Sequence, residues 1–215
     1  MRFREWVEAN FQVERGQVIA IDGKTVRGAG LRTLHLVSAW AHHSGIVLGQ
    51  RKVDEKSNEI TAIPQLLDDL YLAGAIVTLD AMGTQTAIAQ KIRDKKADYV
   101  LALKGNQGQL HTDIQEWFAW ADQQQFHDMP HSYAQTVNKN HGRIEIRQCW
   151  ALSDPQAFEV IRHHDGWAGL QSIVRVKRER RPLDNTPVSP ETVYFISSLP
   201  PDAELLLRAV RAHWS

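Results

Sequence analysis

A chain of 215 residues, 43% apolar and 23% charged, has the length and composition of one globular domain carrying an insertion. No run approaches the roughly 20 apolar residues that span a bilayer, and Met1–Asn10, with its alternating charges and Trp6, has no signal-peptide pattern, so a bacterial-type cytoplasmic address without membrane partners is expected. The 25 basic and 25 acidic groups cancel, so affinity for nucleic acid must come from local charge, and Cys149, the single cysteine, excludes an internal disulfide and a Cys-based zinc site.

In chain order, Phe3, Trp6 and Val7 form an apolar helical face near the start. It reads either as the tail of a preceding domain or as a helix docked on the core. Gln17–Asp22 is a short run rich in β-branched residues that Gly23 ends, a buried strand. Leu34–Ala41 and Ile46–Val53 follow as strands around a His43-Ser44-Gly45 turn, which makes an antiparallel meander. Ser57 reads as a helix N-cap, with Ile60, Ile63, Leu66, Leu67 and Leu70 at helical spacing and Gly74 closing the helix. Ala75–Asp80 is a compact strand, Thr84–Lys95 a helix with a basic end, Asp98–Leu103 a strand, and a third helix is expected from about Gln107 to Trp120. The order βββ-α-β-α-β-α predicts an α/β fold whose mixed sheet contains parallel pairs.

The pattern changes after about Gln125. Gln135–Val137, Arg143–Leu152, Gln171–Arg178 and Thr192–Ser197 read as strands joined by polar loops bearing Pro and Gly, a β-rich insertion or subdomain. Asp202 opens a last helix, Ala203–Trp214, with no glycine cap after it. Cys149 lies in an apolar strand and reads as a plain buried thiol.

Two aspartates stand out by position. Asp22 ends the first strand and Asp80 the fourth, and the strand ends at one edge of an open sheet are where α/β folds build ligand sites. If the two strands are neighbours, the carboxylates converge, and like charges that close repel unless a cation lies between them. Mg²⁺ suits such oxygen ligands, and a pair of metals would serve phosphodiester cleavage. Taken singly, each aspartate reads equally as a turn-former or helix cap.

Other candidates carry two readings each. Glu145 is a metal ligand and Arg143 a phosphate contact, or both belong, with Arg147, to one ordinary strand face. Arg175, Lys177, Arg178, Arg180 and Arg181 form a phosphate-contacting hairpin, or a solvated edge strand guarded by charge. Lys104, at the strand-to-helix junction Lys104-Gly105-Asn106-Gln107, offers an anion site on weak grounds. His42-His43 and His163-His164 show no HExxH-like spacing, which argues against zinc.

Four ordered stretches, Ile19–Ala29 (IAIDGKTVRGA), Thr78–Gln85 (TLDAMGTQ), Asp98–Gln107 (DYVLALKGNQ) and His141–Trp150 (HGRIEIRQCW), resemble the H-repeat-associated, ISAs-type DDE transposases of bacterial insertion sequences. The resemblance covers the chain from about Phe3 to Ser215. It implies an RNase H-like core at residues 17–124, a β-rich insertion at 125–200, the start of an incomplete last catalytic helix at 201–215, and a remnant of an N-terminal domain at 1–16. It implies an Asp-Asp-Glu triad holding two Mg²⁺ (or Mn²⁺) ions, with Asp22 and Asp80 as the first two acids. The partners implied are double-stranded DNA, as element ends and target, and a second copy of the chain, with no small-molecule substrate. The third acid is expected in a context like Arg/His-Trp-x-Ile-Glu. Arg211-Ala212-His213-Trp214-Ser215 matches its beginning, with His213 at the phosphate-contacting position and Trp214 packing. The expectation is a transposase that is catalytically incomplete as this fragment. The alternatives are a non-catalytic DNA-binding remnant, or a metal-dependent nuclease that recruits Glu145.

Overall fold

The computed structural model describes residues 13–27, 33–53, 58–140, 143–182 and 188–214. The expectations placed on Phe3, Trp6, Val7, Ser57 and His141 lie outside them. The chain divides into two compact units, one of residues 1–101 with 211–215 and the other of residues 102–210. The architecture is mixed α/β, as the order of elements predicts.

In the first unit the strand order is β3-β2-β1-β4-β5. β1 (Val18–Arg27), β2 (Thr33–Ala41) and β3 (Ile46–Lys52) form the antiparallel meander, while β4 (Ile76–Leu79) and β5 (Asp98–Leu103) add in parallel. Val18, Ile19, Ala20 and Ile21 are all buried, as is the whole of β4. Strands covered on both faces read as continuous apolar runs, which is why β1 and β4 are legible without alternation. β1 runs five residues past the expected end at Asp22, because Gly23–Arg27 continue the ladder with Thr33–Val37 of β2.

Helix α1 (Glu59–Asp68) buries Ala62, Ile63, Leu66 and Leu67, and α2 (Thr86–Asp94) buries Ile88, Ala89 and Ile92. Gly74 does not close α1. It stands at φ +82° in the turn before β4, where its N–H donates to the Lys96 carbonyl and its carbonyl accepts from Gly16 N–H. Glycine meets that left-handed backbone without a Cβ penalty.

In the second unit β9 (Glu191–Ser197), β8 (Ser172–Pro182), β7 (Arg143–Leu152) and β6 (His131–Asn140) form antiparallel neighbours in that order. β6 and β8 exceed their predicted lengths. Polar cross-strand partners, Asn138 opposite Glu145 and Glu145 opposite Arg180, hold the outer ends in register. Helix α3 (Gly108–Gln123) buries Leu110, Ile114, Phe118 and Ala121. A short helix, α4 (Pro155–Val160), is absent from the sequence-based expectation although its start signal is present: Asp154 accepts from Gln156 N–H at 2.9 Å and Pro155 takes the first helical position. Six residues are too few for helical periodicity to register. Helix α5 (Ala203–Trp214) matches its expected span, and Asp202 caps it by accepting from Leu205 N–H at 3.0 Å.

Candidate active site

The site is built at one edge of the first unit's sheet. β1 and β4 are parallel neighbours, with Ala20 opposite Thr78 and Ile21 opposite Leu79. Asp22 and Asp80 therefore follow the last paired residues of adjacent strands, which lie about 4.8 Å apart. Alternation puts Ala20, Asp22, Thr78 and Asp80 on one face, and Ile19, Ile21, Gly23, Val77 and Leu79 on the other. Asp22 is exposed and Asp80 half-buried. Oδ1 of Asp80 accepts from the backbone N–H groups of Met82 and Gly83, both at 3.1 Å. This Asx turn fixes the carboxylate and leaves Oδ2 without a hydrogen bond among the described residues. A Cβ on Gly83 would lie 2.9 Å from Leu79 Cδ2 and 3.0 Å from Ile63 Cδ1, so those side-chain ends would have to shift to admit one.

Two further side chains reach this edge from opposite faces. His213, on α5, pairs its Nδ1 with Thr78 Oγ1 at 2.8 Å, and Thr78 is fully buried. Burial pulls the imidazole below its ordinary pKa, against the opposing pull of the Asp22 and Asp80 charges. Glu59 comes from the first turn of α1, whose Ile63 packs near Leu79. Its carboxylate fills the place that a Cβ of Gly23 would take. Burial, and then the charges of Asp80 and Asp22, push the Glu59 carboxyl above the ordinary carboxylate range, while His35 pulls the other way. Glu59 and Thr78 are absent from the sequence-based candidates. For Glu59 the only signal was an acid at the head of the helix after the third strand, with a glycine directly following Asp22.

The remaining candidates belong to the second unit. Arg175 is 8% exposed, forms a two-pronged pair with Asp122 (2.6 and 2.9 Å), and stacks 4.2 Å over the Trp150 ring and 5.0 Å over Phe118. Those surroundings are those of a structural strut. Arg147, Arg178 and Arg180 stand 3.0, 3.9 and 3.5 Å from the Glu145 carboxylate, and Arg178 also binds Glu191. Three guanidiniums neutralise Glu145, which removes the electrostatic reason for a cation there. Arg181 pairs with Glu179 at 2.6 Å, whereas Lys177 and Arg143 are exposed. Lys104 is exposed too, but its backbone N–H donates to Gln107 Oε1 at 2.8 Å, so that amide is not offered to an anion.

For a divalent cation, the carboxylates of Asp22 and Asp80 offer oxygen, the donor Mg²⁺ and Mn²⁺ prefer. No group of three His, Cys, Asp or Glu side chains among the described residues stands at direct ligand spacing. Mg²⁺ is commonly held by one or two carboxylates with water or phosphate beside them, so a pair such as Asp22 and Asp80 would be a sufficient protein contribution.

The family model for the transposase DDE domain matches residues 14–215. "Putative transposase YncI" of Escherichia coli O157:H7 is 41% identical over 218 residues, covering 99% of this chain and 55% of that protein. Its namesake in Escherichia coli strain K12 is 49% identical over 150 residues, covering 67% of this chain and 59% of the relative. "H repeat-associated putative transposase YhhI" of strain K12 is 37% identical over 219 residues, covering 99% and 57%. The chain spans a little over half the length of these relatives. The match of the transposase DDE domain to residues 14–215, nearly the whole length, places this chain in the DDE transposase family.

Proposed function

We propose that this chain carries the RNase H-like core of a DDE transposase, in which Asp22 and Asp80 hold a divalent metal for DNA cleavage and strand transfer at the ends of an insertion sequence. The observation that carries the reading is the parallel pairing of β1 with β4, which delivers both aspartates to one sheet edge. Residues 17–124 are read as that core and 125–200 as its β-rich insertion. When bound, Mg²⁺ or Mn²⁺ supplies charge stabilisation for in-line displacement at phosphorus. Asp80, whose Oδ1 accepts from Met82 and Gly83 N–H, would hold the metal together with Asp22. Thr78 Oγ1 pairs with Nδ1 of His213 and sets the ring at the sheet edge, where the imidazole would meet a DNA phosphate. Lys104, Arg143 and Lys177, all exposed, are the cations proposed to meet the backbone outside the reacting centre. The ion pairs of Arg178, Arg180 and Arg181, and the stacking of Arg175, support structural roles for those four. The arginines around Glu145 likewise weigh against a nuclease that recruits it.

The test is the affinity for nicked duplex DNA with a free 3′-hydroxyl, measured by fluorescence anisotropy with and without Mn²⁺. Mn²⁺ is expected to tighten binding in the unaltered protein and to have no such effect in Asp22→Asn or Asp80→Asn. Equal enhancement in all three proteins contradicts the proposal.

A further inference from the structure

Glu59 stands at the same sheet edge without a role in the mechanism just given. Its position follows from three features. It heads α1, on the face of the sheet that carries Ile21 and Leu79, opposite to the face of Asp22 and Asp80. Gly23, immediately after Asp22, has no side chain to fill the space above the strand, and the Glu59 carboxylate occupies that space. No hydrogen bond or ion pair to that carboxylate is found among the described residues, and the charged groups that face it are Asp80, Asp22 and His35.

The Glu59 carboxylate is half-buried over Gly23, close enough to Asp80 and Asp22 to feel their charge. Glu59 is in the first turn of α1, where an acid complements the helix dipole, but that role does not call for the place over Gly23. Nor does direct ligation by three side chains, since no such group stands at ligand spacing among the described residues. Mg²⁺ takes one or two carboxylates and keeps several waters, and those waters donate hydrogen bonds to whatever acceptors surround them.

We propose that Glu59, seated in the cradle left by Gly23, is a positioning residue for the divalent metal of Asp22 and Asp80, accepting hydrogen bonds from water in the metal's coordination shell. This rests on the reading of the two aspartates as metal ligands. Glu59 adds negative charge that favours the cation and holds the hydrated metal at the strand edge, without displacing the open positions that a DNA phosphate needs. Gly23 is the second half of the device, because any side chain there pushes the carboxylate away.

The test is Mn²⁺ affinity, measured by calorimetric titration of the whole chain, with thermal melting of the metal-free protein alongside. Loss of an outer-shell partner weakens metal binding about ten-fold or more. Glu59→Gln is therefore expected to weaken Mn²⁺ binding by about that factor, and Gly23→Ala to weaken it in the same direction by displacing the carboxylate. The metal-free melting temperature of Glu59→Gln should be unchanged or higher, because the repulsion from Asp22 and Asp80 is gone. Glu116→Gln, on the exposed face of α3, should leave the affinity unaltered. Unchanged Mn²⁺ affinity in Glu59→Gln, with a lowered metal-free melting temperature, would make Glu59 a structural residue and overturn the proposal. If affinity instead survives in both Asp22→Asn and Asp80→Asn, the underlying reading of the aspartates fails first.

Discussion

By its place in a basic stretch Arg175 reads as a candidate DNA contact, by its surroundings as a structural residue, and mutation separates the two. In Arg175→Met the side chain keeps most of its apolar contact with Trp150 and Phe118 but loses its charge and its pair with Asp122. Asp122 is 53% exposed, so the ion pair itself is worth about 1 kcal/mol after solvent screening. The desolvated stack on Trp150 adds about 1–2 kcal/mol. Against this, Nε of Arg175 is buried without a hydrogen-bond partner among the described residues, and its removal returns about 1 kcal/mol. The balance is a loss of about 1–2 kcal/mol, or about 2–8 °C in melting temperature for a chain of this size. Urea unfolding followed by tryptophan fluorescence reads the loss. Anisotropy with duplex DNA at several salt concentrations reads the other role. The slope of log K against log salt should be the same for Arg175→Met as for the unaltered protein, while Lys177→Met should lower it by about one. An Arg175→Met protein with unaltered stability and a reduced salt slope would refute the structural assignment.

Three further outcomes are expected. Asp113 accepts from Arg162 through its backbone N–H and its guanidinium, and these bonds hold its carboxyl at about 2, below its ordinary 3.8. A depressed folded value means that the stabilisation is present above the unfolded pKa and disappears as pH falls through about 2. Asp113→Asn should therefore cost about 1–2 kcal/mol in urea unfolding at pH 7, and the difference should shrink toward zero near pH 2. Cys149 is buried, with its thiol pushed up to about 12, so Ellman's reagent at pH 8 should label it only as fast as the protein unfolds. Gly83→Ala drives a methyl into Leu79 and Ile63 and should cost about 1–3 kcal/mol, read as a lower melting temperature.

The two aspartates were legible because their signal is positional: an acid at the end of an apolar run shows in the residues alone. Their adjacency is a property of topology, and it needed the parallel pairing of β1 with β4. Glu59 was not legible, since acids are common in the first turn of a helix, where they complement its dipole. Only the close approach to Gly23 separates it from that background. The basic stretch in β8 carries two readings because charge alone does not separate buried from exposed positions. Arg175 lies where the strand is still buried on both faces, whereas Lys177, two residues on, is exposed. The acidic partners Asp122, Glu145 and Glu191 come from other elements and cannot be paired with their arginines from the sequence.

Anomalous scattering from crystals of this chain soaked in Mn²⁺ tests most directly whether Asp22 and Asp80 hold a divalent metal. The expected result is a manganese peak bounded by the carboxylates of Asp22 and Asp80. Absence of a peak there at saturating Mn²⁺, or a peak at Glu145 instead, would contradict it.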